Sequence, residues 1–141
     1  MFSMKIRRWS ELSHSDRCAR CLLAFVVVLL LLSTPRLIVL TVHTFQYGYS
    51  PRLLDEVVGV GVSVVLLVFS LKKHRWALVL SAVWYALSLF VLGLFFAKGF
   101  YPDTALQSVL TCVIGASSLG AIVSSVALLR AVRAETKATQ Q

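Results

Sequence analysis

The sequence predicts an all-α polytopic membrane protein, with four transmembrane helices and both termini in the cytoplasm. Three observations carry that expectation. Hydrophobic residues fill 58% of the 141 positions and charged residues only 14%, where an ordinary soluble domain is roughly a quarter charged; mean hydropathy is +0.83. Four apolar stretches, at 19–42, 53–71, 76–97 and 105–129, are each long enough at about 1.5 Å per residue to cross a hydrocarbon core of about 30 Å. Finally, the net positive charge falls entirely on one side of such a four-span chain.

That asymmetry sets the orientation. Lys5, Arg7, Arg8, Arg17 and Arg20, the "KKHR" turn at 72–75, and Arg130, Arg133 and Lys137, net of Glu11, Asp16 and Glu135, hold the whole formal charge of +8. The opposite ends balance Arg36, Arg52 and Lys98 against Asp55, Glu56 and Asp103. The positive-inside rule then places both termini in the cytoplasm. Anionic lipids are expected partners at that face. Nucleic acid is not, because neither a basic globular domain nor an aromatic-lined groove is suggested. The chain divides into a cytoplasmic polar tail (1–17), the helix bundle (18–130) and a flexible cytoplasmic tail (131–141).

The first helix is introduced by "SHSD", where Ser13 and Asp16 have the spacing of a capping box. Trp9 before it suits the membrane interface, in a short amphipathic surface segment. Positive residues before "LLAFVVVLLLL" also fit a signal peptide, but no small-x-small cleavage pattern follows, so the segment is expected to remain as an anchor. The run "LLLLSTPRLIVL" reads as one spanning helix, bent at Pro35, with a carbonyl freed near Ser33 or Thr34. Arg36 then lies roughly 9 Å inside the helix end at Val42, and Glu56 roughly 8 Å inside a second helix starting at Pro51. Charges at similar depth on antiparallel neighbours are expected to pair, with Asp55 as the adjacent carboxylate, because pairing offsets desolvation. An external vestibule with Arg36 recognising a small anion is a further expectation from the bend.

Between these helices, Phe45, Tyr47 and Tyr49 form an interfacial aromatic belt, and Ser50-Pro51 supplies a cap and a first-turn proline. Helix two carries Gly59 and Ser63 four apart, with Gly61 nearby, and ends in basic residues suited to a helix carboxyl end. The short turn after it makes helices two and three antiparallel neighbours. Helix three places Ala77, Ser81 and Tyr85 at four-residue spacing and offers Gly93 and Ala97 as a second close-contact pair. The Tyr85 hydroxyl needs a partner in such surroundings. Helix four opens with the capping-box spacing of Thr104 and Gln107. It then presents Cys112, Ala116, Gly120 and Ser124, beside a parallel strip of Ser117, Ala121 and Ser125. Small faces matter because lipid already solvates leucine and valine, so helices associate by close packing. The strip fits either an internal seam or contact with a membrane protein partner or a second copy.

Chemistry is thinly represented. Cys18, Cys21 and Cys112, with His14, His43 and His74, lack metal-ligand spacing, and no nucleophile elbow or phosphate loop is present. Enzymatic activity, a metal and a cofactor are therefore not expected. Away from their ends, spans two to four contain no charged residue of the kind that proton-coupled carriers bury. The expected function is that of a small non-enzymatic integral membrane protein that regulates, protects or assembles with a membrane protein partner. It would reside in a bacterial inner membrane or another cell membrane. The alternative is an oligomeric carrier or channel subunit for a small solute or ion, with Arg36, Tyr85 and His43 along its path.

Overall fold

In the computed structural model, which describes residues 13–99 and 102–141, the chain is all-helical. Its four helices are α1 (His14–Tyr47), α2 (Pro51–Leu71), α3 (Arg75–Ala97) and α4 (Ala105–Thr139). All four are long and apolar enough to cross a membrane. Trp9 and the amphipathic segment expected around it lie outside the described residues.

Local chemistry explains the boundaries. Ser13 is extended and its hydroxyl accepts from the Asp16 backbone N–H at 3.2 Å, satisfying one of the free donors of the first turn. Gly48, at φ 92°, ends α1 in a backbone region closed to most side chains, and its N–H returns to the Thr44 carbonyl. Pro51 opens α2 as its first helical residue. Ser50 makes no side-chain cap bond, so the fixed φ of Pro51, rather than a serine cap, sets this start. Thr104 accepts from the Gln107 N–H at 3.2 Å, while the Gln107 side chain reaches back to the Asp103 N–H at 3.0 Å.

Two segments depart from expectation. Residues 131–139 are not a flexible tail: α4 continues to Thr139, and Ala131 and Val132 are buried. The stripe that buries Leu128 simply carries on past Arg130, through residues of high helix propensity. Residues 14–17 likewise belong to α1 rather than to a tail. At about 1.5 Å per residue, α1 and α4 are each roughly 50 Å long, so both outrun the hydrocarbon.

The helices pack in the cyclic order α1, α4, α3, α2, and α4 makes the most extensive contacts, with α1 and α3. Buried positions on α4 are Ser117, Ser118, Ala121, Ser124, Ser125 and Leu128, followed by Ala131 and Val132. Against them lie Leu22 and Val26 of α1 and Leu78 and Tyr85 of α3, in one apolar cluster. The tightest approach is at Gly120, where an added Cβ would come within 2.6 Å of the Phe25 ring. Ser70 and Ser81 join α2 to α3 by a buried hydroxyl pair at 3.1 Å. Ser125 Oγ has no partner among the described residues, so what it contributes is small volume.

The buried residues all belong to the half of the bundle that carries the chain ends. Ser15, Leu22 and Val26 lie in the first half of α1, Leu66, Leu67 and Ser70 in the last third of α2, and the buried positions of α3 in its first half. The opposite half is more exposed and more loosely packed. Gly59, Gly61 and Gly93 have nothing within 4 Å of an added Cβ, and Gly93, Ala97, Cys112 and Ala116 are exposed. These residues are therefore not intramolecular close contacts: the parallel strip of Ser117, Ala121 and Ser125 forms the seam, and the Cys112 strip joins it only at Gly120 and Ser124.

Gly120→Ala should destabilise the bundle by about 1 kcal/mol, the lower end for overpacking because half-buried Phe25 can turn. Gly93→Ala should be neutral or stabilising by up to about 1 kcal/mol through helix propensity. Unfolding in mixed detergent micelles distinguishes the two outcomes.

Candidate functional site

At each end of the described bundle a polar construction joins neighbouring helices. At the end with the termini, the turn after α2 puts Lys73 at φ 61°, a conformation a lysine adopts only when its surroundings hold it there. Its ammonium donates to Ser15 Oγ at 2.9 Å and lies 3.3 Å from Asp16 and 3.9 Å from Glu135. Ser15, fully buried, donates in turn to Glu135 Oε1. One lysine thus ties the start of α1 to the last turns of α4, fastening the end that is already packed. The Ser13 hydroxyl and the Lys73 ammonium hold the Asp16 carboxyl below its ordinary range. Arg75 adds a bond from Nη2 to Thr136 Oγ1 at 2.7 Å.

At the opposite end, Arg36 Nε lies 2.7 Å from Glu56 Oε1. The pair is lopsided: the Arg36 side chain is 73% exposed and that of Glu56 21%. Asp55 is exposed beside it on α2. The helix carrying Arg36 runs unbroken through Pro35. The carbonyl that Pro35 leaves without its usual donor is that of Leu31, four residues back, rather than one at Ser33 or Thr34. Those two hydroxyls instead donate to the carbonyls of Leu29 and Leu30, at 3.0 and 2.9 Å.

An open cleft of about 200 Å³ is lined by residues of all four helices. Val26, Leu29 and Leu30 form its α1 wall, and Ile114 and Ser118 its α4 wall. Glu56, Gly59 and Ser63 line it from α2, and Trp84, Tyr85 and Ser88 from α3. Tyr85, only 3% exposed, lies where the cleft meets the packed half. Ser63 organises this region: it accepts from Trp84 Nε1 at 3.2 Å and donates to the Gly59 carbonyl at 2.9 Å.

Several expected site residues thus converge here, namely Glu56, Gly59, Ser63 and Tyr85. His43 does not: it is exposed on α1 and stacked on Tyr47 at 4.8 Å between centroids, away from the lining of the cleft. Arg36 is likewise outside the lining, so the charge presented to the cleft is the carboxylate. Trp84 was legible as a mid-span aromatic, but its hydrogen bond to Ser63 depends on the rotation of α2 against α3. Lys73 looked like one orientation charge among the three of "KKHR", and no glycine there marked the left-handed turn.

Among the described residues, no group of three or more potential metal ligands is found. Comparison with known proteins gives no match to any family model, curated protein or solved structure.

In a double-mutant cycle of Arg36→Ala and Glu56→Ala, the coupling energy should be about 1 kcal/mol, the upper part of the range for accessible pairs because Glu56 is largely covered. Additive losses in reversible unfolding would show that the pair contributes no direct stabilisation.

Proposed function

We propose that this is a small integral membrane protein without enzymatic activity that assembles with a membrane protein partner and thereby regulates or protects it. The observation that carries this reading is the division of labour on α4. Internal packing uses Ser117, Ala121 and Ser125, while Cys112 and Ala116 of the neighbouring strip are exposed. An exposed small-residue surface in hydrocarbon offers lipid little, but it lets another helix approach backbone to backbone. The occupant that fits is a transmembrane helix of the partner. The Lys73 tie and the Arg36–Glu56 pair hold the bundle that presents this face, and the basic end meets anionic lipid.

A second reading, an oligomeric carrier or channel subunit, is favoured by the open cleft with Glu56 and Tyr85 in its lining. A homodimer through the Cys112 and Ala116 face would support it.

Cys112 is a native probe of the face. In a Cys18→Ser, Cys21→Ser background, a short thiol-to-amine crosslinker should capture a discrete partner from mild-detergent extracts. Ala116→Trp should abolish that adduct with helix content and melting unchanged. A chain that stays monomeric by mass, or an adduct indifferent to Ala116→Trp, overturns the assignment; a self-adduct favours the subunit reading.

Both termini are placed in the cytoplasm on charge grounds. Reporter fusions at either terminus should be active on the cytoplasmic side, and a fusion within 48–50 on the other. The reverse pattern would refute this orientation.

A further inference from the structure

The cleft has a chemical character that the partner reading does not use. Among its lining residues Glu56 is the single charged one; the remainder are aliphatic side chains, glycine, serine hydroxyls and two aromatics, Trp84 and Tyr85. A carboxylate facing an apolar pocket with aromatic walls suits a ligand that is both positive and greasy. The carboxylate supplies a counter-charge in a medium poor in water, and the aromatic faces attract a cation through their quadrupoles. A hydrated inorganic ion lacks the apolar body such walls reward, and an anion meets the wrong sign.

We infer that the cleft binds a small organic cation, such as a quaternary ammonium with an apolar body, with Glu56 as its counter-charge, half-buried Trp84 as its aromatic wall and buried Tyr85 behind it at its inner end. In the unliganded state Arg36 occupies the Glu56 carboxylate from outside the cleft, at 2.7 Å. It is a tethered competitor. Its exposure lets it leave: a cation entering from the open half takes over the carboxylate, and the released guanidinium moves toward the interface, where headgroups and water solvate it. The Trp84 and Ser63 hydrogen bond holds the indole against the cleft throughout. Pocket size limits the occupant to a small molecule or a single headgroup, so two sources share the chemistry: a free ammonium compound and a choline lipid headgroup.

The test uses the full chain in maltoside micelles, with Trp9→Phe and Trp76→Phe leaving Trp84 as the sole tryptophan. Benzyltrimethylammonium should quench its fluorescence saturably, whereas neopentylbenzene, the neutral isostere, should show only linear partitioning. Glu56→Gln should weaken binding at least tenfold. Arg36→Gln, which removes the internal competitor, should tighten it several-fold. Equal responses to the charged and neutral probes, unchanged affinity in Glu56→Gln, or lost affinity in a folded Arg36→Gln protein would each overturn the proposal. The probe comparison in the background protein decides the matter even if Glu56→Gln fails to fold. A short-chain phosphatidylcholine added to the micelles identifies the source: competition with the probe assigns a choline headgroup to the site, and its absence assigns free cations, the cleft being a cation site in both cases.

Discussion

The whole bundle depends on how closely α4 can be approached. In hydrocarbon there is no gain from hiding leucine, so helices associate where their backbones can come near one another. The strip of Ser117, Ala121 and Ser125 provides that proximity to α1 and α3. Gly120 beneath Phe25 marks its limit, because no side chain fits there without moving the ring.

Close packing at one end has consequences for the other. The buried residues crowd toward the end with the chain termini, and Lys73, bridging Ser15, Asp16 and Glu135, fastens the same end. The far halves of the helices are less tightly packed: Gly59, Gly61 and Gly93 meet nothing, and Gly115 reaches only an ordinary contact with Leu92. A bundle tied at one end and open at the other leaves a cleft as a matter of geometry. The Arg36–Glu56 pair then acts as a clasp between α1 and α2 near the open end.

The outer and inner surfaces of this open half differ in chemistry. Outside, Cys112 and Ala116 offer a smooth helix face suited to another helix. Inside, Glu56 faces an aromatic and aliphatic recess. These two surfaces belong to different sides of the same segment, so occupation of one leaves the other physically accessible. That separation lets association and ligand binding be probed independently.

Hydrophobic length, which needs only composition and periodicity, determined that there are four helices long enough to span a membrane and set the bounds of α2 and α3 and the start of α4, but not the ends of α1, which runs from His14 to Tyr47 rather than from 19 to 42, nor the end of α4. The pairing of Arg36 with Glu56 was readable because the short connection makes α1 and α2 antiparallel neighbours, although α1 continues to Tyr47 and the depth reckoned from Val42 does not hold. The caps at Ser13 and Thr104 were equally local, each a hydroxyl three residues from the N–H it accepts from. What the sequence did not determine was helix rotation. Two adjacent small-residue strips on α4 are equivalent by spacing, and only the packing of α1 and α3 chose Ser117, Ala121 and Ser125 while leaving Cys112 and Ala116 outside. The same rotation turned Glu56, not Arg36, toward the cleft, and removed His43 from it. The extension of α4 to Thr139 was decided by contact too, because burial of Ala131 and Val132 and the bonds of Glu135 and Thr136 link residues more than fifty positions apart.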